Sequence, residues 1–596
     1  MKLSDYVVER LAHLGVTHCF SVTGGGAMHL NDSFGKSQSF TNIYNHHEQA
    51  SAMAAEGFAR IANSPAAVCV TTGPGGINSL NGIFGAYTDS IPMIVIAGQV
   101  KRETIVTGYP NLAGLRQLGD QEARSLEIVR PITKFAVQVL EPEDIGTALD
   151  AAYLHATTGR PGPVWVEIPV DVQAAEVDLD PSTPLAVAPD ELRTSGDDLG
   201  YVRRRLSEAK RPVILAGTGV RLANQKDSLK SIAHTFNVPV VTAWTHDIFD
   251  NHDELFGGRA GTIGTRPGNM VIQNSDLVLV LGSRLNIRQV SYAWDSFAPK
   301  AEVVVVDVDD AELVKPFPRV DRGIHADLRD FMPGLQSMSP QELDPSRQNW
   351  LSWVKNVNAK YRSKRIDYPE KDGFVNPYHL VFDIFEKMPP NSVVVSANAS
   401  ACIIPFQVGS LTGEDRLFSN SGSASMGFEL PAAIGAAAAN PGAKVICLAG
   451  DGSIMMNIQE LATLNALGLD VAVIVLDNNG YLSIKQTQNN FFQRSNGSSP
   501  ESGVHFPDLE KVGSAFGIKS LTLDGYNYNL TALADFLNSE GPRLLVVKLD
   551  PDQEFIPRLK SKMVDGHIQT PELDDMYPHL DPSELSSIRE SAISIS

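Results

Sequence analysis

A chain of 596 residues is too long for one hydrophobic core and sets an expectation of three domains. Its 43% apolar and 20% charged content is ordinary for a globular protein, and a formal net charge of −20 argues against a nucleic-acid or anionic-membrane partner. The widely spaced Cys19, Cys69, Cys402 and Cys447 form no CxxC pair, so buried reduced thiols of a cytoplasmic protein are expected, not a zinc site or disulfide framework.

The opening MKLSDYVVERLAHLGV lacks a charged-then-apolar signal pattern and reads as an amphipathic helix, with Leu3, Tyr6, Val7, Leu11 and Leu14 on one face. No uncharged apolar stretch is long enough to span a bilayer. Up to about residue 170, helical patterns alternate with apolar runs such as AAVCVTTGPGG (66–76), PMIVIAGQ (92–99) and GPVWVEIP (162–169), the rhythm of a parallel α/β sheet. YNHHEQASAMAAEGFAR (44–60) reads as a small-residue helix with an acid, Glu48, near its start. Small residues let another helix or a cofactor approach, and a lone glutamate there is by default a dipole-favoured surface acid. TTGPGGINSLNG (71–82) gives a tight, backbone-exposed turn after a strand.

Residues 172–198 turn acidic and proline-bearing and read as a linker. RPVILAGTG, VPVVTAW, DLVLVLGSR and VVVVDVDD repeat the α/β rhythm over 211–335. The lone GxG at Gly217 and Gly219 is weak and as often a plain turn. After a second polar stretch (337–350), a third α/β block spans about 375–550, with strands at SVVVSAN, AKVICLAGDG, DVAVIVLDNNG and PRLLVVKLD. The tail from 560 has no clear period and is expected to lie over a surface or site, or to be loosely ordered at its end.

The third block carries the strongest chemistry. Asp451 sits between two glycines at the carboxyl end of an apolar strand, where burying a carboxylate requires a partner. A helix over 457–467 and the strand VAVIVL follow, and that strand ends in Asp477-Asn478-Asn479-Gly480. Successive parallel strands place their carboxyl ends on one edge, so Asp451 and Asn478 are expected to meet. One carboxylate, one amide oxygen and a carbonyl from the Gly480 turn form a hard-oxygen set suited to Mg²⁺ holding a phosphate group. The amides of Gly452 and Ser453 would cradle phosphate oxygens. GDGS alone reads equally as a turn in which Asp451 caps the next helix; the second strand-end cluster favours the metal.

This pair of clusters resembles the signature of thiamin-diphosphate enzymes, and residues 1–550 are similar to the acetolactate synthase branch of that superfamily. The resemblance implies an α/β fold of three doubly wound parallel-sheet domains: a pyrimidine-binding domain (1–175), a central domain (190–336) and a diphosphate- and Mg²⁺-binding domain (365–555), with a tail over 556–596. It assigns Mg²⁺ to Asp451, Asn478 and the Gly480 carbonyl; the family usually has asparagine where this chain has Asp477. Met426, in SGSASMGFELPAAIGAA, matches the methionine that lies under the cofactor and bends it, against the plain reading of a gap-filling core methionine. Ser400, in NASA, falls on a second diphosphate-contacting turn. Glu48 matches the catalytic glutamate of an HEQ motif, whose carboxyl bonds the cofactor's aminopyrimidine ring; apolar surroundings favour its protonated form. Neither His46 nor His47 is assigned a catalytic role. Thr72, Gly73 and Asn78 match a loop lining the cofactor pocket, Gly25 a glycine loop near the reacting carbon, and Gln121 a segment approaching substrate. In the family, this glutamate of one subunit meets the cofactor held by another, which implies a homodimer at minimum, or a homotetramer.

In the middle block, Gly217, Gly219, Arg284, Arg288 and Asp307 resemble segments that bind FAD in that branch, where the flavin is mostly structural; many superfamily members keep this domain empty. The expected reaction is carboligation: pyruvate is decarboxylated and its two-carbon unit passes to a carbonyl acceptor. Thr487 aligns with a tryptophan that narrows the acceptor pocket of the synthases. VTGGGAMHLND and RQLGDQEA look more like a subgroup that ligates a two-carbon unit onto nucleotide-activated keto-sugars. The acceptor is therefore a second 2-oxo acid or a larger ketone. The alternatives are a simple 2-oxo acid decarboxylase, a flavin-linked pyruvate oxidase and, in another class, a non-catalytic cofactor-binding protein. The joint presence of Glu48, Asp451, Asn478 and Met426 argues against the last.

Overall fold

The apolar runs become the inner strands of three six-stranded parallel sheets in the computed structural model, which describes residues 1–112, 114–183, 192–244, 246–564 and 567–595. The first sheet contains β1 (His18–Ser21), β2 (Thr41–Tyr44), β3 (Ala66–Val70), β4 (Met93–Gln99), β5 (Phe135–Gln138) and β6 (Pro163–Pro169), in the order β2-β1-β3-β4-β6-β5. The second contains β7 (Pro212–Ala216), β8 (Val240–Thr242), β9 (Phe256–Arg259), β10 (Leu277–Leu281), β11 (Glu302–Asp307) and β12 (Arg322–His325), in the order β12-β11-β10-β7-β8-β9. The third contains β13 (Val393–Ser396), β14 (Arg416–Phe418), β15 (Val445–Gly450), β16 (Val471–Asp477), β17 (Lys519–Leu523) and β18 (Arg543–Lys548), in the order β14-β13-β15-β16-β18-β17. The first and third orders are the same permutation. In each sheet the order reverses between two central strands, β1 and β3, β7 and β10, β13 and β15. A crevice opens at the carboxyl ends of such a pair.

The first and third sheets share one core. The helix Glu48–Ala62 lies against the helix Glu429–Ala439, and their backbones nearly touch. A Cβ on Gly57 would stand 2.2 Å from the Ala432 carbonyl oxygen, and one on Gly435 1.8 Å from that of Ala54. The small-residue pattern of 44–60 therefore serves helix packing. Within the first domain, buried Arg60 reaches Glu56 at 2.7 Å and Asp89 at 2.6 Å; Arg416 of the third domain ties the three together, reaching Asp247 of the central domain at 2.5 Å and donating to the Arg60 carbonyl at 2.8 Å.

The expected linker at 172–198 starts in a short helix (Val170–Gln173); its residues 184–191, which include the expected boundary at 190, lie outside the described residues. The tail does lie over a surface. Apart from residues 565, 566 and 596, outside the described set, it returns from the third sheet to the second and ends in the helix Pro582–Ile593, with Ile588 and Ala592 in a core with Trp350 and Trp353. All four cysteines are buried and free of disulfides. Among the described residues no helix is long and apolar enough to cross a membrane.

Candidate active site

The tips of β13, β15 and β16 bring the expected metal set together. β15 and β16 pair in register up to Gly450 and Leu476, which places Asp451 beside the Asp477–Gly480 turn. Asp451 is buried; its Oδ1 accepts the Gly452 N–H at 2.7 Å and its Oδ2 the Gly480 N–H at 2.9 Å. Burial pushes this carboxyl up to about 7, and the charge of Asp477 adds to the effect. Asn478 is buried too. Its amide nitrogen reaches Ser400 Oγ at 3.4 Å, while its Oδ1 is buried with no partner. A buried amide oxygen with nothing to accept from is costly unless a ligand completes it. The Gly480 carbonyl accepts Leu482 N–H at 3.1 Å and retains a second lone pair. Asp477 forms an ion pair with the half-exposed Lys548. Among the described residues no group of three or more His, Cys, Asp or Glu side chains is placed to hold a metal. One carboxylate, one amide oxygen and one carbonyl fit a hard cation that keeps positions for water and phosphate, as Mg²⁺ does.

Around this set the chain offers donors to an anion. Ser400 opens the helix Ser400–Val408, after Ala399 held at φ +46°, a strained non-glycine conformation of the kind found at ligand-binding turns. Gly452 is required by Tyr481, whose ring carbon would lie 2.1 Å from a Cβ there. Ser453 Oγ accepts the Gly427 N–H at 2.9 Å and donates to Glu429 Oε2 at 2.9 Å. Asn457 donates to the Gly427 carbonyl at 2.8 Å. The turn bearing the half-buried Met426 is thus bolted to the GDGS loop.

A second cluster forms at the tips of β1 and β3. Glu48 is the first residue of its helix, and His47 in extended backbone caps it, with Nδ1 accepting Gln49 N–H at 3.1 Å. Glu48 is 8% exposed, so its expected surface default does not hold. Asn78 donates to Glu48 Oε2 at 3.0 Å. Gly24 and Gly26 press on Thr71 and Thr72, leaving Gly25 facing open space, and Thr72 Oγ1 is buried without a partner. Gly73, at φ +61°, needs no side chain because the Gln121 carbonyl oxygen would lie 2.0 Å from its Cβ. Gln121 is exposed. Among the described residues no hydrogen bond or ion pair runs from Glu48, Asn78 or Gln121 to Asp451, Asn478 or Gly480.

At the tips of β7 and β10 a cleft of about 960 Å³ is lined by Gly217, Gly219, Ser283, Arg284, Asp307 and, from the first domain, Arg160. Its glycines answer first to packing: a Cβ on Gly217 would meet the Gly282 carbonyl oxygen at 2.4 Å, and one on Gly219 the Gly282 Cα at 2.7 Å. Asp307 is buried, its carboxyl raised by burial, and accepts Asp309 N–H at 3.0 Å. Arg288 is exposed and does not line the cleft.

Two positioning residues escaped the sequence reading. Glu460, fully buried, accepts Asn45 Nδ2 and the His46 N–H, both at 2.9 Å, and so fixes the entry to Glu48 from the third domain. No local pattern betrays a contact between residues so distant in the chain. Glu429, fully buried with Oε1 unpartnered and pushed up to about 7 by burial, was visible as an acid in an alanine-rich helix.

Three parallel α/β units, a set of oxygen ligands that fits a hard cation beside phosphate-type donors, and a buried acid at a second sheet tip are the features of an enzyme that handles a diphosphate cofactor. The family models described as the N-terminal TPP binding domain, the central domain and the C-terminal TPP binding domain of thiamine pyrophosphate enzymes match residues 1–122, 200–335 and 403–547. The chain is 31% identical to the acetolactate synthase large subunit of Lactococcus lactis (93% of this chain, 94% of that one). It is 32% identical to the probable acetolactate synthase large subunit of Methanocaldococcus jannaschii (92% of each) and 30% identical to acetolactate synthase isozyme 1 large subunit of Escherichia coli (93% and 95%). The chain belongs to the thiamine pyrophosphate enzyme family, in its acetolactate synthase-like branch, and is a thiamin-diphosphate-dependent enzyme.

Proposed function

We propose that this enzyme is a Mg²⁺-dependent carboligase that decarboxylates pyruvate and transfers the two-carbon unit to a carbonyl acceptor. The observation that carries the reading is the buried, unpartnered Oδ1 of Asn478 beside Asp451 and Ser400. Asp451, Asn478 Oδ1 and the Gly480 carbonyl would bind Mg²⁺, and the Ser453 amide with the Ser400 hydroxyl would orient the diphosphate, the Gly452 N–H being held by Asp451 Oδ1. Bound thiamin diphosphate supplies a nucleophilic carbon and a sink for the electron pair freed with CO₂. Glu48, oriented by Asn78, holds and moves a proton at the aminopyrimidine ring. Met426, fixed through Gly427, would pack under the cofactor, and Gln121, exposed at the Gly73 turn, would approach the substrate. No hydrogen bond or ion pair among the described residues links the Glu48 and Asp451 clusters, which supports a working site completed by a second copy in a homodimer or homotetramer. Ile77 and Phe84, exposed apolar residues flanking Asn78, support that surface.

FAD would occupy the central cleft, with Arg284 and Asp307 as polar contacts and Arg288 outside it. The acceptor is the open part. Thr487, at the position of the family's tryptophan, folds its hydroxyl onto the Ser483 carbonyl of its own helix at 2.9 Å. A side chain this small favours a large acceptor, of nucleotide-activated keto-sugar size, over a second pyruvate. Incubating the loaded enzyme with pyruvate and a panel of 2-oxo acids and ketones, with products read by mass spectrometry, tests this. A ligated product dependent on the acceptor supports it; free acetaldehyde or peroxide as the main product assigns a decarboxylase or an oxidase instead.

A further inference from the structure

The segment that carries Gln121 has little apolar surface with which to hold a shape. Of residues 114–121 all but Gly119 are exposed. Gln121 itself stands at φ +62°, a left-handed backbone that a residue with a side chain rarely keeps unless its surroundings impose it. An exposed segment with few buried contacts opens easily, whereas a side chain that meets a substrate must be held in one place.

The next residue, Glu122, is buried beneath this segment and supplies the missing hold. Its Oε1 accepts the Val106 N–H at 2.7 Å, and its Oε2 accepts the N–H groups of Leu118 at 2.8 Å and Gly119 at 3.1 Å. Bonds from amides to a carboxylate are stronger than those to a neutral acceptor. The Glu122 backbone closes the same turn: its N–H donates to the Gly119 carbonyl at 3.3 Å, and its carbonyl accepts Gln117 Nε2 at 3.0 Å. One residue on, the Ala123 carbonyl accepts Nε2 of the buried Gln99 at 3.0 Å, which anchors the segment to the end of β4. On the other side the Gln121 carbonyl lies against the Gly73 turn, where a Cβ would come within 2.0 Å of it. The Gln121 backbone is therefore pinned from both sides while its side chain stays exposed.

We propose that Glu122 is the positioning residue for Gln121: its carboxylate gathers the Val106, Leu118 and Gly119 amides and so fixes the turn that presents Gln121 to the substrate. The proposal rests on the substrate role given to Gln121 above. The chemistry calls for a carboxylate at this place. All three partners are N–H donors, lying on both oxygens, so an acid with two acceptor atoms satisfies them together. A glutamine of the same shape has one acceptor oxygen; its NH₂ group would face either Val106 or the Leu118–Gly119 pair, donor against donor. Loss of the charge therefore loosens the turn without emptying the space.

The test compares wild type, Glu122→Gln, Gln121→Ala and the double variant as full chains loaded with thiamin diphosphate, Mg²⁺ and FAD, by CO₂ release against pyruvate concentration. Glu122→Gln should lower kcat/KM about tenfold or more with a raised KM and unchanged thiamin diphosphate affinity. A variant that had merely lost folded protein would lower kcat at unchanged KM. In the Gln121→Ala background the same substitution should cost almost nothing further, because Glu122 acts through Gln121. Hydrogen exchange of the cofactor-free chain reads the clamp directly: the Val106, Leu118 and Gly119 amides should exchange about tenfold faster in Glu122→Gln, while the helix Glu48–Ala62 keeps its protection. Gln117→Ala, at an exposed position, removes only the support of the Glu122 carbonyl and should lower kcat/KM about threefold, a readout that stands even if Glu122→Gln fails to fold. Unchanged exchange, or a full Glu122→Gln loss persisting in the Gln121→Ala background, overturns the proposal alone. Wild-type kinetics in Gln121→Ala overturns instead the reading of Gln121, and the proposal falls with it.

Discussion

The carboxylate of Asp451 accepts the backbone N–H of Gly480 at 2.9 Å, and this bond closes the tips of β15 and β16 over the unpartnered Asn478 oxygen. Replacing Asp451 by Asn removes the charge that holds a divalent ion while keeping an acceptor for Gly480. Mg²⁺-dependent binding of thiamin diphosphate is expected to weaken about 100-fold, read by calorimetric titration. Wild-type affinity in that variant contradicts the metal assignment.

Glu48→Gln keeps the size of the side chain and an oxygen for Asn78 but cannot move a proton. CO₂ release from pyruvate should fall about 10²- to 10⁴-fold, with cofactor affinity retained in a parallel titration. Equal losses in both measurements would assign Glu48 to binding alone.

Glu429 carries a pH signature. Its carboxyl lies at about 7 in the folded chain, against the ordinary 4.5. Between those values the unfolded chain releases a proton that the folded chain keeps, so stability falls as pH rises from 4.5 to about 7 and levels off above. Glu429→Gln should flatten part of that slope and raise the unfolding midpoint above pH 7, an effect on the order of a few kcal/mol. Glu56 and Asp451, also raised to about 7, keep some slope in the variant. Urea unfolding of the cofactor-free protein from pH 5 to 8 measures it, and an unchanged slope refutes it.

Arg60 sits between Glu56 and Asp89 with almost no solvent contact. Arg60→Met leaves both carboxylates buried without their cation and should destabilise by about 3–5 kcal/mol. Pairing it with Glu56→Gln should recover part of the loss in the same unfolding experiment.

The readable parts of the fold were those where apolar sequence is concentrated. β4, β10, β15 and β16 are buried on both faces and appear as near-continuous apolar runs, as does β6 apart from the buried Glu167. The edge strands β2 (TNIY) and β17 (KSLTL) are partly exposed and look like ordinary loop sequence. Asp451 and Asn478 were readable because parallel topology alone brings neighbouring strand tips together. The Glu460 clamp on Asn45 was not, because it depends on how two domains dock. Gly217 and Gly219 looked like phosphate-loop glycines, yet their nearest demand is the Gly282 backbone. Arg288 shares its motif with Arg284, but the four-residue helix Ile287–Val290 leaves it exposed, outside the cleft.

The claim that one active site draws Glu48 from one chain and Asp451 from another is tested most directly by complementation. Glu48→Gln and Asp451→Asn chains carrying different tags are co-expressed, and the mixed assembly is isolated through both tags. A shared site predicts one intact centre in two, and so about half the wild-type rate of CO₂ release from assemblies whose parents are each inactive. Mixed assemblies no more active than either parent would contradict it.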